Sequence, residues 1–203
     1  MPDPTPPKDT LECATCDRPV CRSGEDCYGA AQAVRDLYAQ ADPEVLQLTR
    51  LAAAVEAEGY QQWPRAEEII RFARRAGFTH LGVAFCVGLA EEARCYVGIL
   101  QKEFKVSSVC CKVCGIGKHE LELKPLRPHA THETMCAPLG QAELLNRAGV
   151  DLNILMGLCV GHDALFSRHA AAPVTTLIAK DRVMAHNPTG ALYSGYWRRR
   201  LGK

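Results

Sequence analysis

The stretch Thr79-His80-Leu81-Gly82-Val83-Ala84-Phe85-Cys86-Val87-Gly88 reads as an apolar strand that delivers Cys-Val-Gly at its end. Ile154-Leu155-Met156-Gly157-Leu158-Cys159-Val160-Gly161 echoes it farther along the chain. Each copy is followed by a helical pattern and another strand. The echo reflects either an old duplication or two strand–helix turns solving the same problem.

Working outward, Trp63-Pro64 opens a helix carrying Ile69, Ile70 and Phe72, with Gly77 placed to end it. Leu89 to Phe104 suits a helix, and 105–109 a short strand ending at Cys110-Cys111. Residues 115–138 hold Gly, Pro and His without period and read as a long loop. Beyond it come a helix over 141–148 capped by Gly149, a strand over 151–158, a helix over 163–169 and a strand over 174–179. Such alternation predicts an α/β fold, a mostly parallel sheet flanked by helices.

Upstream, Val34, Leu37, Tyr38 and Ala41 share a helix face. After Asp42-Pro43 the helical period continues through Val45, Leu48, Leu51, Ala52 and Val55 to Gly59. Three segments follow: a Pro-rich, disordered lead over 1–12, a cysteine knot over 13–28, and a helical segment plus α/β domain over 29–203. The lead begins Met1-Pro2-Asp3-Pro4, where a secretory signal needs a positive start and an apolar run, so a cytoplasmic chain is expected.

With 203 residues, 47% hydrophobic and 23% charged, the composition is that of a soluble globular protein. Lys and Arg number 24 against 23 Asp and Glu, for a net charge of +1. That balance disfavours a broad nucleic-acid-binding face, leaving Arg198-Arg199-Arg200 as the one suitable tract. No stretch reaches the ~20 apolar residues of a membrane-spanning helix.

Cysteine is the unusual component, with 11 in the chain. An odd count and a reducing compartment argue against a disulfide framework and for metal ligation. Cys13, Cys16, Cys21 and Cys27 follow C-x2-C-x4-C-x5-C, a loop too short and polar to bury thiols, and suited to zinc or an iron–sulfur cluster.

A second set is assembled by the fold. In an open parallel sheet all carboxyl ends lie along one edge, where ligands bind. Cys86, Cys111 and Cys159 fall at predicted strand ends, and Cys136 lies in the long loop just before a helix. Gly88 and Gly161 let backbone approach a bulky inorganic group. Four thiolates facing one crevice suit a [4Fe-4S] cluster.

Lys112, His162 and Asp163 stand nearby as candidates to orient a substrate or move protons, as do Lys180-Asp181 and His186-Asn187. Asp163 equally suits a helix cap. His129, His132 and Cys136, spaced H-x2-H-x3-C, form a subordinate metal set. Cys110 and Cys114 flank Cys111 without a rank between them, and Cys95 reads as a helix packing residue.

The strings Gly157-Leu158-Cys159-Val160-Gly161-His162-Asp163-Ala164-Leu165-Phe166, Lys180-Asp181-Arg182-Val183, His186-Asn187-Pro188 and Met135-Cys136-Ala137-Pro138-Leu139-Gly140-Gln141 resemble an uncharacterised prokaryotic family of cysteine-rich proteins known only as metal-binding. The resemblance implies that Cys13, Cys16, Cys21 and Cys27 act as one group and Cys86, Cys111, Cys136 and Cys159 as another. Ala137 stands where the family pattern has Asn, and Cys114 where it has Gly.

The expected function is metal binding, with a redox partner protein or a small molecule as partner. Closed by four thiolates, the cluster would serve electron transfer or sensing. Held by three, its fourth iron would act as a Lewis acid on a sulfur- or oxygen-bearing substrate, making an enzyme. A zinc-binding interaction module is the remaining alternative.

Overall fold

A computed structural model of the chain describes residues 11–127, 129 and 131–203. Most of the 1–12 lead, and Pro128 beside the loop histidines, therefore lie outside the described residues. The chain divides into two compact units, Met1–Ala54 and Val55–Lys203. Among the described residues no helix is long and apolar enough to cross a membrane.

In the first unit the backbone around the cysteines makes two 3-10 turns, Cys13–Thr15 and Val20–Ser23, the second closed by Gly24 at φ 94. Helix α1 spans Ala31–Gln40. Asp26 accepts from the amides of Ala30 at 3.1 Å and Ala31 at 2.7 Å, tying the knot to the start of α1. Donation from Ala31 above all holds the Asp26 carboxyl below its usual range. Helix α2, Pro43–Gly59, begins with proline, whose missing N–H has no helical partner to lose at that position.

The second unit contains α3 (Arg65–Arg75), β1 (His80–Phe85), α4 (Ala90–Leu100), β2 (Lys105–Cys110), α5 (Pro138–Ala148), β3 (Leu152–Met156), α6 (His162–His169), β4 (Val174–Ile178), α7 (Thr189–Tyr193) and α8 (Gly195–Arg200). The four strands are parallel, in the order β2-β1-β3-β4.

Side chains alternate across each strand, so the two central strands feed two cores. Leu81 and Val83 of β1 and Leu152, Ile154 and Met156 of β3 meet Ile69 and Ala73 of α3 and Ala93, Tyr96 and Leu100 of α4. On the other face Ala84 and Leu155 meet Ala142 and Leu145 of α5 and Phe166 of α6. Gly82 lies on that second face, where a Cβ would sit 2.8 Å from Asn153 Oδ1 and 3.2 Å from Leu145, so only glycine lets α5 approach this closely. The sheet is thus covered on both faces, as parallel sheets require.

This arrangement decides where a ligand can enter. The chain leaves β1 for α4 on one face and leaves β3 for α6 on the opposite face. β1 and β3 are neighbours. Adjacent strands whose connections depart in opposite directions open a crevice beyond their carboxyl ends.

The sequence-predicted elements are all present, with shifted bounds. α5 begins at Pro138 rather than 141, because proline fits the first helical position. The predicted Gly77 and Gly149 stops adopt φ 72 and φ 65. Helices α7 and α8 were absent from the sequence reading. The 115–138 loop folds back on itself through a 3-10 turn, Lys118–Leu121, and an antiparallel bridge between Gly117 and Thr134.

Candidate metal centre

Three short backbone bonds continue the sheet's register past its strands and carry cysteines into the crevice. Cys86 N donates to Met156 O at 3.1 Å, Cys111 N to Phe85 O at 2.9 Å, and Ala137 N to Cys111 O at 2.8 Å. The last returns the long loop to the sheet edge and places Cys136 beside Cys111. Gln141 is fully buried, and its Nε2 donates to Phe85 O at 3.2 Å and Val109 O at 2.7 Å, clasping the ends of β1 and β2. At β3, Gly157 turns at φ 69 where a Cβ would meet Leu89 Cδ1 at 2.0 Å, so the chain passes directly over the start of α4.

All 11 cysteines are free thiols. Cys86 is 6% exposed and Cys111 3%, whereas Cys136 and Cys159 are half-buried. Cys86 and Cys111 share a hydrogen bond that pulls the Cys86 thiol well below its ordinary range, against the effect of burial; the Gly88 amide and the Lys180 ammonium pull the same way. Cys111 is pushed up, first by that bond and then by burial. The amide of Val87 donates to Cys111 Sγ at 3.3 Å, and Cys136 lies within electrostatic reach of Cys111.

Cys159 has its own cation. Arg182 Nη2 donates to its sulfur at 3.1 Å, raising the guanidinium's proton affinity, and Cys86 and Cys136 add to the effect. The structure thus gathers Cys86, Cys111, Cys136 and Cys159 in one neighbourhood, with Lys180 and Arg182 as counter-charges. A position 3.3 Å from Lys180 Nζ and 4.0 Å from Cys86 Sγ is where Gly88 would carry a Cβ, so its lack of a side chain keeps ammonium and thiol together.

The segment after β4 aims Arg182. Asp181 Oδ1 accepts from Val183 N at 3.0 Å and Met184 N at 2.9 Å, while His186 Nδ1 accepts from Asp181 N at 3.1 Å. Ala185 and His186 adopt φ 50 and φ 62, left-handed conformations that side chains disfavour. Such strain is tolerated where the surroundings impose it.

Lys112 Nζ donates to Thr134 O at 2.6 Å and so fastens the long loop. His162 and Asp163 open α6, their amides donating to Cys159 O at 2.9 and 3.2 Å, and the Asp163 carboxylate accepts from Ala164 N. His129 is exposed; the ring of His132 meets Thr134 Oγ1 at 3.2 Å and packs edge-on against His119. Cys95 is exposed on α4 rather than packed, because Ala93, Tyr96 and Leu100 form the inward face. Cys110 is half-buried, and exposed Cys114 sits 2.4 Å from where Gly140 would carry a Cβ. Arg182 is not among the reactive groups expected from the sequence; its sequence signals are its place two residues past Lys180 and in the string Lys180-Asp181-Arg182-Val183.

In the knot, Cys13, Cys16, Cys21 and Cys27 are all exposed. Desolvation pushes the Cys27 thiol up, and Cys21 and Cys16 beside it push the same way. Cys13 Sγ lies 3.8 Å from the Tyr28 hydroxyl. Among the described residues no three His, Cys, Asp or Glu side chains are placed to hold a metal ion.

The crevice thiols have the chemistry an iron–sulfur cluster needs: soft donors, two of them buried, amide donors to sulfur, and cations for the resulting negative charge. Cys86, Cys111, Cys136 and Cys159 would be its ligands, and such a cluster would supply electron-transfer or Lewis-acid chemistry.

No solved structure matches the chain. It is similar to "Uncharacterized protein MJ0455" of Methanocaldococcus jannaschii, 43% identical over 192 residues, covering 94% of this chain and 98% of that one. The profile described as "Protein of unknown function (DUF1847)" matches residues 23–177, a span that takes in Cys86, Cys111, Cys136 and Cys159, and the chain belongs to that family.

Proposed function

We propose that the chain is a cytoplasmic iron–sulfur protein in which Cys86, Cys111, Cys136 and Cys159 hold a [4Fe-4S] cluster. Cys13, Cys16, Cys21 and Cys27 hold a second metal, zinc or another cluster. The observation that supports this most is the gathering of four sequence-remote thiols at the crevice between β1 and β3, with Lys180 and Arg182 beside them. A small apolar residue would serve packing alone as well as any one cysteine. Packing does not call for two cations beside two thiols.

Purification without oxygen, followed by visible absorption and analysis for iron, sulfide and zinc, tests the reading. The expected product is brown, with about four irons and four sulfides per chain, or about twice that if the knot also holds a cluster. Colourless protein containing zinc alone refutes it. Of the single variants Cys86→Ala, Cys111→Ala, Cys136→Ala and Cys159→Ala, at least three should lose the cluster; retention in two or more refutes the ligand set.

A further inference from the structure

We propose that Lys180 and Arg182 set the redox poise of the crevice site by offsetting the charge its thiolates bring, which makes it a one-electron centre. The inference rests on the cluster reading above. A cubane core of charge two-plus bound by four thiolates is a dianion, and an added electron makes it a trianion. In a crevice where Cys86 is 6% and Cys111 3% exposed, water screens little of the charge on those two sulfurs, while the Arg182–Cys159 contact faces solvent.

The protein supplies the screening instead. Arg182 Nη2 lies 3.1 Å from Cys159 Sγ, and the Lys180 ammonium and Cys86 Sγ flank the same point over Gly88, 3.3 Å and 4.0 Å from it. Together these cations cancel the formal charge of the oxidised site and leave one negative charge after reduction. The Val87 amide donates to Cys111 Sγ at 3.3 Å, the same polarity of assistance from the backbone. Two residues of one strand exit each serve a different thiol, and the turn that presents them contains left-handed Ala185 and His186. The turn is held by Asp181 Oδ1, which accepts from Val183 N and Met184 N, and by His186 Nδ1, which accepts from Asp181 N.

The redox step is simple. One electron passes from a one-electron carrier protein, or from dithionite in the laboratory, to the site; no bond breaks, and no proton is required because the cations are already in place. Both are positioning residues, acting through the thiolates.

The test compares the wild type with Arg182→Gln, Arg182→Lys, Lys180→Met and the Arg182→Gln/Lys180→Met double variant. Each is loaded with iron and sulfide, assayed for both, and titrated with dithionite under electron paramagnetic resonance. Both neutral variants should keep their iron and show a more negative midpoint potential, the double variant the most negative. Arg182→Lys should stay nearer the wild type, because charge rather than fork geometry is at issue. Unchanged or more positive midpoints in the neutral variants, with full iron, overturn the proposal and leave the cluster reading standing. Loss of iron from Arg182→Gln but not from Arg182→Lys also overturns it, since the charge would then serve assembly. A wild-type chain that takes up no iron and sulfide overturns both readings.

Discussion

Arg182 reaches Cys159 with 3.1 Å between Nη2 and Sγ, joining the exit of β4 to the exit of β3. The two strands are neighbours, and parallel order puts both exits on the same edge. A guanidinium is always charged, so this contact brings a fixed positive charge to the crevice at every pH at which the fold persists.

The turn behind that contact should be improvable. Ala185 sits at φ 50, which costs an L-residue roughly 1–2 kcal/mol. Replacement by glycine, offset by about 0.5–1 kcal/mol of backbone entropy, should leave stability equal or higher by up to about 1.5 kcal/mol. Ala185→Val should lower it. Urea unfolding ranks the three chains, and a glycine variant clearly weaker than wild type would show that the turn is not strained.

Gly157 should tolerate nothing larger. Alanine there takes on the left-handed penalty and drives a methyl to 2.0 Å from the buried Leu89. Left-handed strain plus overpacking predicts a loss of about 2–4 kcal/mol in unfolding free energy. Thermal or urea unfolding within about 0.5 kcal/mol of wild type would contradict this close approach.

Gln141 separates donor from acceptor. Its Nε2 bridges Phe85 O and Val109 O, while its buried Oε1 has no partner among the described atoms. Gln141→Leu removes the clasp and should cost about 1–3 kcal/mol. Gln141→Glu should cost more at neutral pH, since an ionised carboxylate has no hydrogen to give and faces two carbonyls. Acidification should narrow the gap as the carboxyl gains a proton. Equal stability of the two variants at neutral pH would remove the amide from its assigned role.

Glu133 organises the long loop. It pairs with Lys118 at 2.6 Å and accepts from Leu126 N at 2.8 Å and Arg127 N at 3.0 Å. These contacts, Lys118 first, pull its carboxyl down to about 2 from the ordinary 4.5. A lowered folded value stabilises the loop fully above the unfolded value and loses that contribution as pH falls toward the folded one. Amide exchange at Leu126 and Arg127 should therefore show protection fading between about pH 4.5 and pH 2. Glu133→Gln should flatten that dependence.

The two cysteine sets proposed to hold metal should be separable. Cys16→Ser/Cys27→Ser removes two thiols from the Met1–Ala54 unit and touches none in Val55–Lys203. The double variant should lose the knot's metal and retain the crevice absorbance. Parallel loss of both signals would mean that the sets depend on each other.

Sequence alone settled the local matters. Apolar runs closed by Cys-Val-Gly located β1 and β3, because strand and helix periods depend on neighbouring residues only. Cys86 directly follows β1; β3 stops at Met156, where Gly157 turns, so Cys159 lies three residues past its strand rather than at its end. Gly77 and Gly149 marked helix ends for the same reason: their backbone preferences are intrinsic, whereas Pro138, read as the end of the long loop, opens α5. The grouping of cysteines at strand ends followed from the expectation of a parallel sheet. The order β2-β1-β3-β4 was not legible, since strand order depends on which faces the helices cover, a property of the packed core. That order put the crevice between Cys86 and Cys159. The clasp by Gln141 and the cation from Arg182 likewise arise from residues far apart in the chain, brought together only when the sheet and its two helical layers close.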